Sequence, residues 1–227
     1  STNLIKLCAI KAFGKKSVSF FELGQTIFGC IEGIEFIQSL ITKLGFNQPS
    51  QDLKLIEWYG LDISEYFNDL AIRMHNNFNV FTSADVSAFS SQMDVFFAKG
   101  VTLLYRVKTP NDLLELLRMS HCAVFDYSFS LFGEQQSRIG TGKEVCYINF
   151  EEFIIACNTI GKSLYFRKNT TKLSEDKSRI YVDCVFGSET YCSSFITADQ
   201  SIRNFLLDKS SEKPEIQTLM NEQLWME

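Results

Sequence analysis

Apolar positions Phe20, Leu23, Ile27, Cys30, Ile31, Ile34, Ile37, Ile41 and Leu44 recur at three- and four-residue steps, while Glu22, Thr26, Glu32, Glu35, Ser39 and Thr42 fall mainly on the other side. This spacing predicts a long amphipathic helix that ends at Gly45. Gly24, Gly29 and Gly33 inside it would each cost about 1 kcal/mol relative to alanine, which points to another backbone packed closely against them. Asp62 and Glu65 have capping-box spacing ahead of Ile63, Tyr66, Phe67, Leu70 and Met74, and predict a second helix. Ser83 caps a third, striped by Val86, Phe89, Met93, Phe96 and Phe97 and stopped by Gly100. Residues 1–100 therefore read as a helical region.

After Gly100 the period changes. Val101 to Val107 reads as a strand, and Thr109-Pro110-Asn111-Asp112 opens a short helix through Leu113, Leu114, Leu116 and Leu117. Cys122 to Phe132 and Val145 to Phe150 read as strands on either side of a turn at Gly140-Thr141-Gly142-Lys143; Asn149 with Glu152 opens a helix that stops at Gly161, and Ser163 to Arg167 begins another strand. The order β-α-β-β-α-β over 101–168 is that of a ferredoxin-like sheet. Ile180 to Phe186 and Tyr191 to Thr197 add a hairpin, Thr197 caps a helix to about Asp208, and Pro214 starts a terminal helix. The predicted class is α+β: a helical region over 1–100 and a mixed or antiparallel sheet region over 101–227, closely packed, since no Ser/Gly-rich linker separates them.

The composition, 45% apolar and 22% charged, is that of a folded chain. The longest stretch without a charge, Met74 to Ala84, is well short of the roughly 18 residues that span a bilayer, so no membrane span is expected. Lys6 and Lys11 interrupt the first residues, so no secretory signal is expected either. Seven cysteines form no C-x-x-C pair and lie mostly in apolar runs, the pattern of reduced, buried thiols in a cytoplasmic protein. The net charge of −5 is uneven: residues 1–16 carry four lysines and no acid, whereas 17–98 carry ten acidic and three basic side chains. That acidic stretch favours a basic or amphipathic protein partner and disfavours nucleic acid.

Candidate chemistry is sparse. There are two histidines, His75 and His121. His121 adjoins Cys122, but neighbours on a strand face opposite ways, which is poor geometry for a Cys-His pair. The usual metal and hydrolase motifs are missing, so no metal and no cofactor are expected. Gly140-Thr141-Gly142-Lys143 falls short of a phosphate loop, with Ser137 where a glycine is needed and Glu144 where a hydroxyl is needed. Tyr105-Arg106 and Ser128-Phe129-Ser130 resemble two parts of the ADP-ribosyltransferase pattern, whose third part has no match, since Glu189 stands alone with Gly187 two positions before it. Tyr105 and Tyr147 could serve as base-stacking rings, but the basic-glycine-aromatic signature of RNA-recognition modules is absent.

What remains is an aromatic content of 14%, with 21 Phe, 8 Tyr and 2 Trp, which suggests an apolar contact surface in addition to a core. The expected partner-binding residues are Trp58, Tyr59, Glu32, Glu35, Glu57, Phe78, Phe81 and Trp225. On this reading the chain is a non-enzymatic adaptor or chaperone-like subunit of a multi-protein assembly. The alternative is a small enzyme with a cysteine nucleophile or NAD-dependent ADP-ribosyltransferase-like chemistry.

Overall fold

The computed structural model describes residues 2–25, 27–47, 49–89, 92–99, 102–138, 142, 144–167, 171–210 and 225–226. In chain order the elements are α1 (Thr2–Ala12), β1 (Ser19–Leu23), α2 (Cys30–Lys43), β2 (Glu57–Leu61), α3 (Glu65–Met74), β3 (Asn79–Ser83), β4 (Met93–Ala98), α4 (Thr102–Arg106), α5 (Pro110–Leu117), β5 (Ser120–Ser130), β6 (Gln135–Arg138), β7 (Glu144–Tyr147), α6 (Phe150–Thr159), β8 (Ser163–Arg167), β9 (Lys172–Leu173), β10 (Arg179–Gly187), α7 (Glu189–Ser210) and β11 (Trp225–Met226). A nine-stranded sheet runs in the order β11-β8-β10-β5-β4-β1-β2-β3, with β9 on β10; β6 and β7 pair separately. Strands β3, β2, β1, β4 and β5 are mutually parallel. Only β10 runs against its neighbours β5 and β8, with β9 and β11 added as short antiparallel pairs.

This arrangement corrects the ferredoxin-like expectation and the helical reading of residues 1–100. Phe20 to Leu23 is a central strand, and Met93 to Ala98 is another. Both are short, mostly apolar runs broken by one acid each, Glu22 and Asp94, because a parallel strand is covered on both sides and loses the alternation that marks a half-exposed one. Such a run satisfies three- and four-residue steps by accident. The true helix starts at Cys30 with Gly29 as its N-cap. Leu103 and Leu104 lie in α4 rather than in a strand, and Tyr191 to Thr197 lies in the 22-residue α7, so no hairpin forms there. The expected helix at Pro214 and the Gly140, Thr141 and Lys143 positions lie outside the described residues. Two short helices form where expected: Thr109 and Asp112 make a reciprocal capping box on α5 with Pro110 at its start, and Asn149 caps α6 by accepting from Glu152 N at 3.0 Å.

The sheet separates two cores. On one face α1, α2 and α7 pack over Phe20, Trp58, Val95, Phe97 and Val185. On the other, α4, α5 and α6, the last through Phe153, cover Phe21, Phe96, Phe125 and Phe129. The aromatic surplus is spent here: Phe21 stacks on Phe96 at 5.6 Å and Phe129 on Phe153 at 5.1 Å. Among the described residues no helix is long and apolar enough to cross a membrane.

One charge pair is built into the first core. Lys6 of α1 meets Glu22 of β1 at 2.6 Å, both are nearly inaccessible, and Cys30 Sγ lies 3.3 Å from the other Glu22 oxygen. Burial pulls the Lys6 pKa down, and Glu22 and Cys30 together more than reverse this, leaving it raised. The stabilisation is therefore fully present below the unfolded lysine value and is lost as pH rises through the raised folded one. Removing one partner strands the other charge, so Glu22→Gln is expected to cost about 3 kcal/mol, while Lys6→Met with Glu22→Leu is expected to be close to neutral. Urea unfolding of the two variants checks this.

Candidate functional site

The chain runs outward from β1 through β2 to β3, then returns to the other side of β1 for β4. At such a reversal the connections leaving the carboxyl ends of neighbouring strands part, and a crevice opens there. The turn that leaves β1 reads Gly24-Gln25-Thr26-Ile27-Phe28-Gly29, the first and third glycines of a G-x-G-x-x-G turn with threonine in the second place. Gly24 has φ +73°, a conformation that costs other residues strain, and its N–H donates to Leu61 O at 2.7 Å. Gly29 starts α2, and a side chain built on it would meet nothing within 4 Å, so the space beside the helix N-terminus is open. Asp62 stands directly after β2, half-buried, and accepts from Ser64 N at 2.9 Å. Ile63, beside it, is 75% exposed.

These strand ends are tied together by polar bonds. Asp62 N donates to Ser83 O at 3.2 Å, joining β2 to β3. Asn68, buried in α3, donates to Asp62 O at 3.0 Å and accepts from Gln25 Nε2 at 2.9 Å, and its carbonyl accepts from the Thr82 hydroxyl at 3.2 Å. One residue, through its side-chain amide and its main-chain carbonyl, thus ties the ends of β1, β2 and β3. His75 Nε2 contacts Ile27 O at 2.8 Å; a carbonyl only accepts, so this nitrogen carries the proton and the ring clamps the turn from below. Asp85, after β3, accepts from Ser87 N at 2.9 Å, and these bonds hold its carboxyl below the ordinary carboxylate value.

The turn is aromatic as well as glycine-bearing. Phe28 has φ +50°, yet its ring is fully buried 6.3 Å from Trp58. The ring fits because residue 60 has no side chain: a Cβ on Gly60 would stand 2.6 Å from the Phe28 ring and closer still to Gln25 Cγ.

The expected partner-binding residues are not brought to one surface. Trp58 lies in β2 with no exposure, against Phe20 at 5.4 Å, its Nε1 donating to Leu53 O at 3.3 Å. Glu32 and Glu35 are exposed on α2, and Glu57 is exposed at the opposite, amino end of β2, where its carboxylate accepts from the Tyr59 hydroxyl at 3.3 Å. Tyr59 and Phe81 do meet, stacked at 5.0 Å on β2 and the edge strand β3, with Phe89 across Tyr59. Phe78 is half-buried against the first core. Trp225 pairs through its backbone with Arg167. The acidic stretch is equally dispersed: Glu22 is neutralised inside, Asp94 pairs with Lys15 at 3.1 Å, and Asp62 and Asp85 belong to the carboxyl edge. All seven cysteines are buried, and burial raises their thiols, Cys157 and Cys192 to about 12, the opposite of an activated nucleophile. Arg106 lies in a helix, not on the strand that the ADP-ribosyltransferase pattern requires.

No family model matches the chain, and no curated protein does. Solved structures do share its fold. The N-terminal domain of EvdMO1, determined with SAH and D-fucose present, matches with a TM-score of 0.56 over 83% of both chains at 16% identity. The same domain with SAH bound gives 0.55 over 83% of this chain and 82% of that one at 17% identity. A Listeria monocytogenes protein assigned to the S-adenosylmethionine-dependent methyltransferases gives 0.50, covering 83% of this chain and all of the other at 12% identity. This likeness overturns the adaptor or chaperone-like reading, together with its cysteine-nucleophile and ADP-ribosyltransferase alternative. The sheet is shared with those structures, and the residues on which those readings stood are not gathered into one site.

Gly24, Gly29 and Asp62 were present in the sequence but absorbed into helices and caps. The signal that finds them is a glycine pair, five apart, directly after an apolar run, with an acid closing the next run. Gly60→Ala is expected to overpack the turn and cost about 1–3 kcal/mol, lowering the melting temperature and disturbing any ligand held at the edge. Calorimetric melting of the variant checks this.

Proposed function

We propose that the chain binds S-adenosylmethionine at the carboxyl edge of β1 and β2 and transfers its methyl group to a small acceptor. The observation that carries this reading is the pairing of the Gly24 turn with Asp62 at the chain reversal, in a fold shared with a domain that holds SAH. The second glycine of a dinucleotide turn lets the backbone approach a pyrophosphate. Here that place holds Thr26, which favours a nucleoside ligand without one.

The residues present fit such a group. A carboxylate offers about four acceptor positions, so Asp62 can take the Ser64 N–H and a ribose hydroxyl together. The dipole of the 14-residue α2 has its positive end beside the open space at Gly29, which suits a carboxylate. Ile63 offers an apolar shelf for a base. Asn68, Gln25 and His75 hold the turn in place and so pre-organise the cradle. When bound, the group supplies a methyl carried on positively charged sulfur, and the chain's task is to position it and exclude water.

SAH titrated calorimetrically into the intact chain is expected to bind one site. Asp62→Asn keeps the acceptor for Ser64 N but removes the charge, and is expected to weaken binding ten- to a hundredfold, as a charged hydrogen bond of about 1.5–3 kcal/mol implies. NAD is expected not to bind. Absence of SAH binding, or equal binding by the variant, contradicts the reading.

A further inference from the structure

Helix α3 packs against β3, the last strand of the sheet, and presents an unexpected face to it. Tyr66, Phe67, Leu70 and Met74 recur at three- and four-residue steps, the spacing that ordinarily turns toward a core. Here it does not. Tyr66 is 65% exposed, Phe67 38% and Met74 48%, with Leu70 half-buried among them. The Tyr66 and Phe67 rings lie 5.6 Å apart, and none of the four side chains packs into either core. The buried face carries Asn68, Ala71 and His75 instead.

The cause lies in the strand ends. Asn68 and His75 hold Gln25, the Asp62 carbonyl and the Ile27 carbonyl, so α3 must turn those polar side chains inward. The apolar residues, set around the helix from them, are carried out to water. Side chains of this size leave roughly 400 Å² of apolar surface uncovered, enough for the patch to mark a contact site.

The charges beside the patch identify what covers it. Asp69 and Arg73 are exposed one helical turn apart, and neither enters an ion pair among the described residues; Arg73 Nε donates to the Asp69 main-chain oxygen at 3.3 Å. An acid and a base in this order complement themselves when two copies of the helix run antiparallel, because Asp69 of each copy then faces Arg73 of the other. Parallel copies would set like charges together. A uniformly basic or uniformly acidic partner would satisfy one of the two charges and oppose the other.

We propose that α3 forms the contact of a twofold homodimer, its two copies antiparallel and crossing beside Leu70. The patch and its flanking charges from both copies would bury on the order of 1,000 Å², the area at which an interface becomes specific.

Sedimentation equilibrium of the intact chain tests this with neither SAH nor an acceptor present, so its outcome is separate from that of the proposed methyl transfer. A dimer with a micromolar dissociation constant is expected. Tyr66→Glu and, separately, Met74→Glu place a charge in the apolar contact and are expected to weaken dimerisation at least tenfold. Both sites are exposed, so circular dichroism is expected to show an unchanged fold. Asp69→Arg and Arg73→Asp, each alone, are expected to weaken dimerisation severalfold; combining both in one chain, or mixing the two single variants, is expected to restore it. A chain that stays monomeric at about 100 µM overturns the proposal, as does dimerisation unchanged in both glutamate variants. Failure of the combined charge variant to recover the lost affinity contradicts the antiparallel contact and overturns it as well.

Discussion

A parallel sheet cannot leave a face to water. Each of its strands is joined to the next by a segment that must cross back over the sheet, and these crossings cover both sides with helices. In this chain the covering is nearly complete over the central strands β1 and β4, with two separate apolar cores above and below, while the edge strand β3 keeps Phe81 exposed. Apart from ion pairs sealed inside, such as Lys6 with Glu22, polar chemistry is thereby left to the rims, and the reversal of strand order beside β1 opens the carboxyl one. The positions of Gly24, Gly29 and Asp62 follow from that confinement.

The same constraint explains why the rim is so heavily tied. A ligand held between loops needs those loops fixed, yet each emerges from a different strand. Asn68 accomplishes this with three hydrogen bonds to segments following or ending β1, β2 and β3. Phe28 anchors the turn from the apolar side, and Gly60 makes room for its ring. The β1–α2 turn is consequently bulkier than a glycine-rich one. It keeps glycine where the backbone must reverse, at Gly24, and where the helix must start unobstructed, at Gly29.

The sequence was most legible where structure is local. The capping box at Thr109 and Asp112, the Asn149 cap and the β8 strand from Ser163 to Arg167 were all readable from a few adjacent residues. It was least legible in the central strands. Phe20 to Leu23 and Met93 to Ala98 are covered on both faces and each carries a single acid, Glu22 or Asp94, so no polar side marks the strand period. Mistaking β1 for part of a helix put Gly24 and Gly29 in a helix interior, and with that the turn at the carboxyl edge disappeared from view. Trp58 was misplaced for the same reason: a strand buried on both faces hides an aromatic that a helix end would expose.

Hydrogen–deuterium exchange of the intact chain with and without SAH tests the central claim most directly, because it reads the site rather than the affinity. The account predicts slowed exchange in residues 24–31 and 61–68 on adding SAH, with the amino edge unchanged. A groove of about 530 Å³ at that edge, lined by Lys11, Lys15, Lys16 and Asp52, is the natural competitor. Protection confined to that groove, or no protection at all at saturating SAH, would contradict the placement of the ligand at the carboxyl ends of β1 and β2.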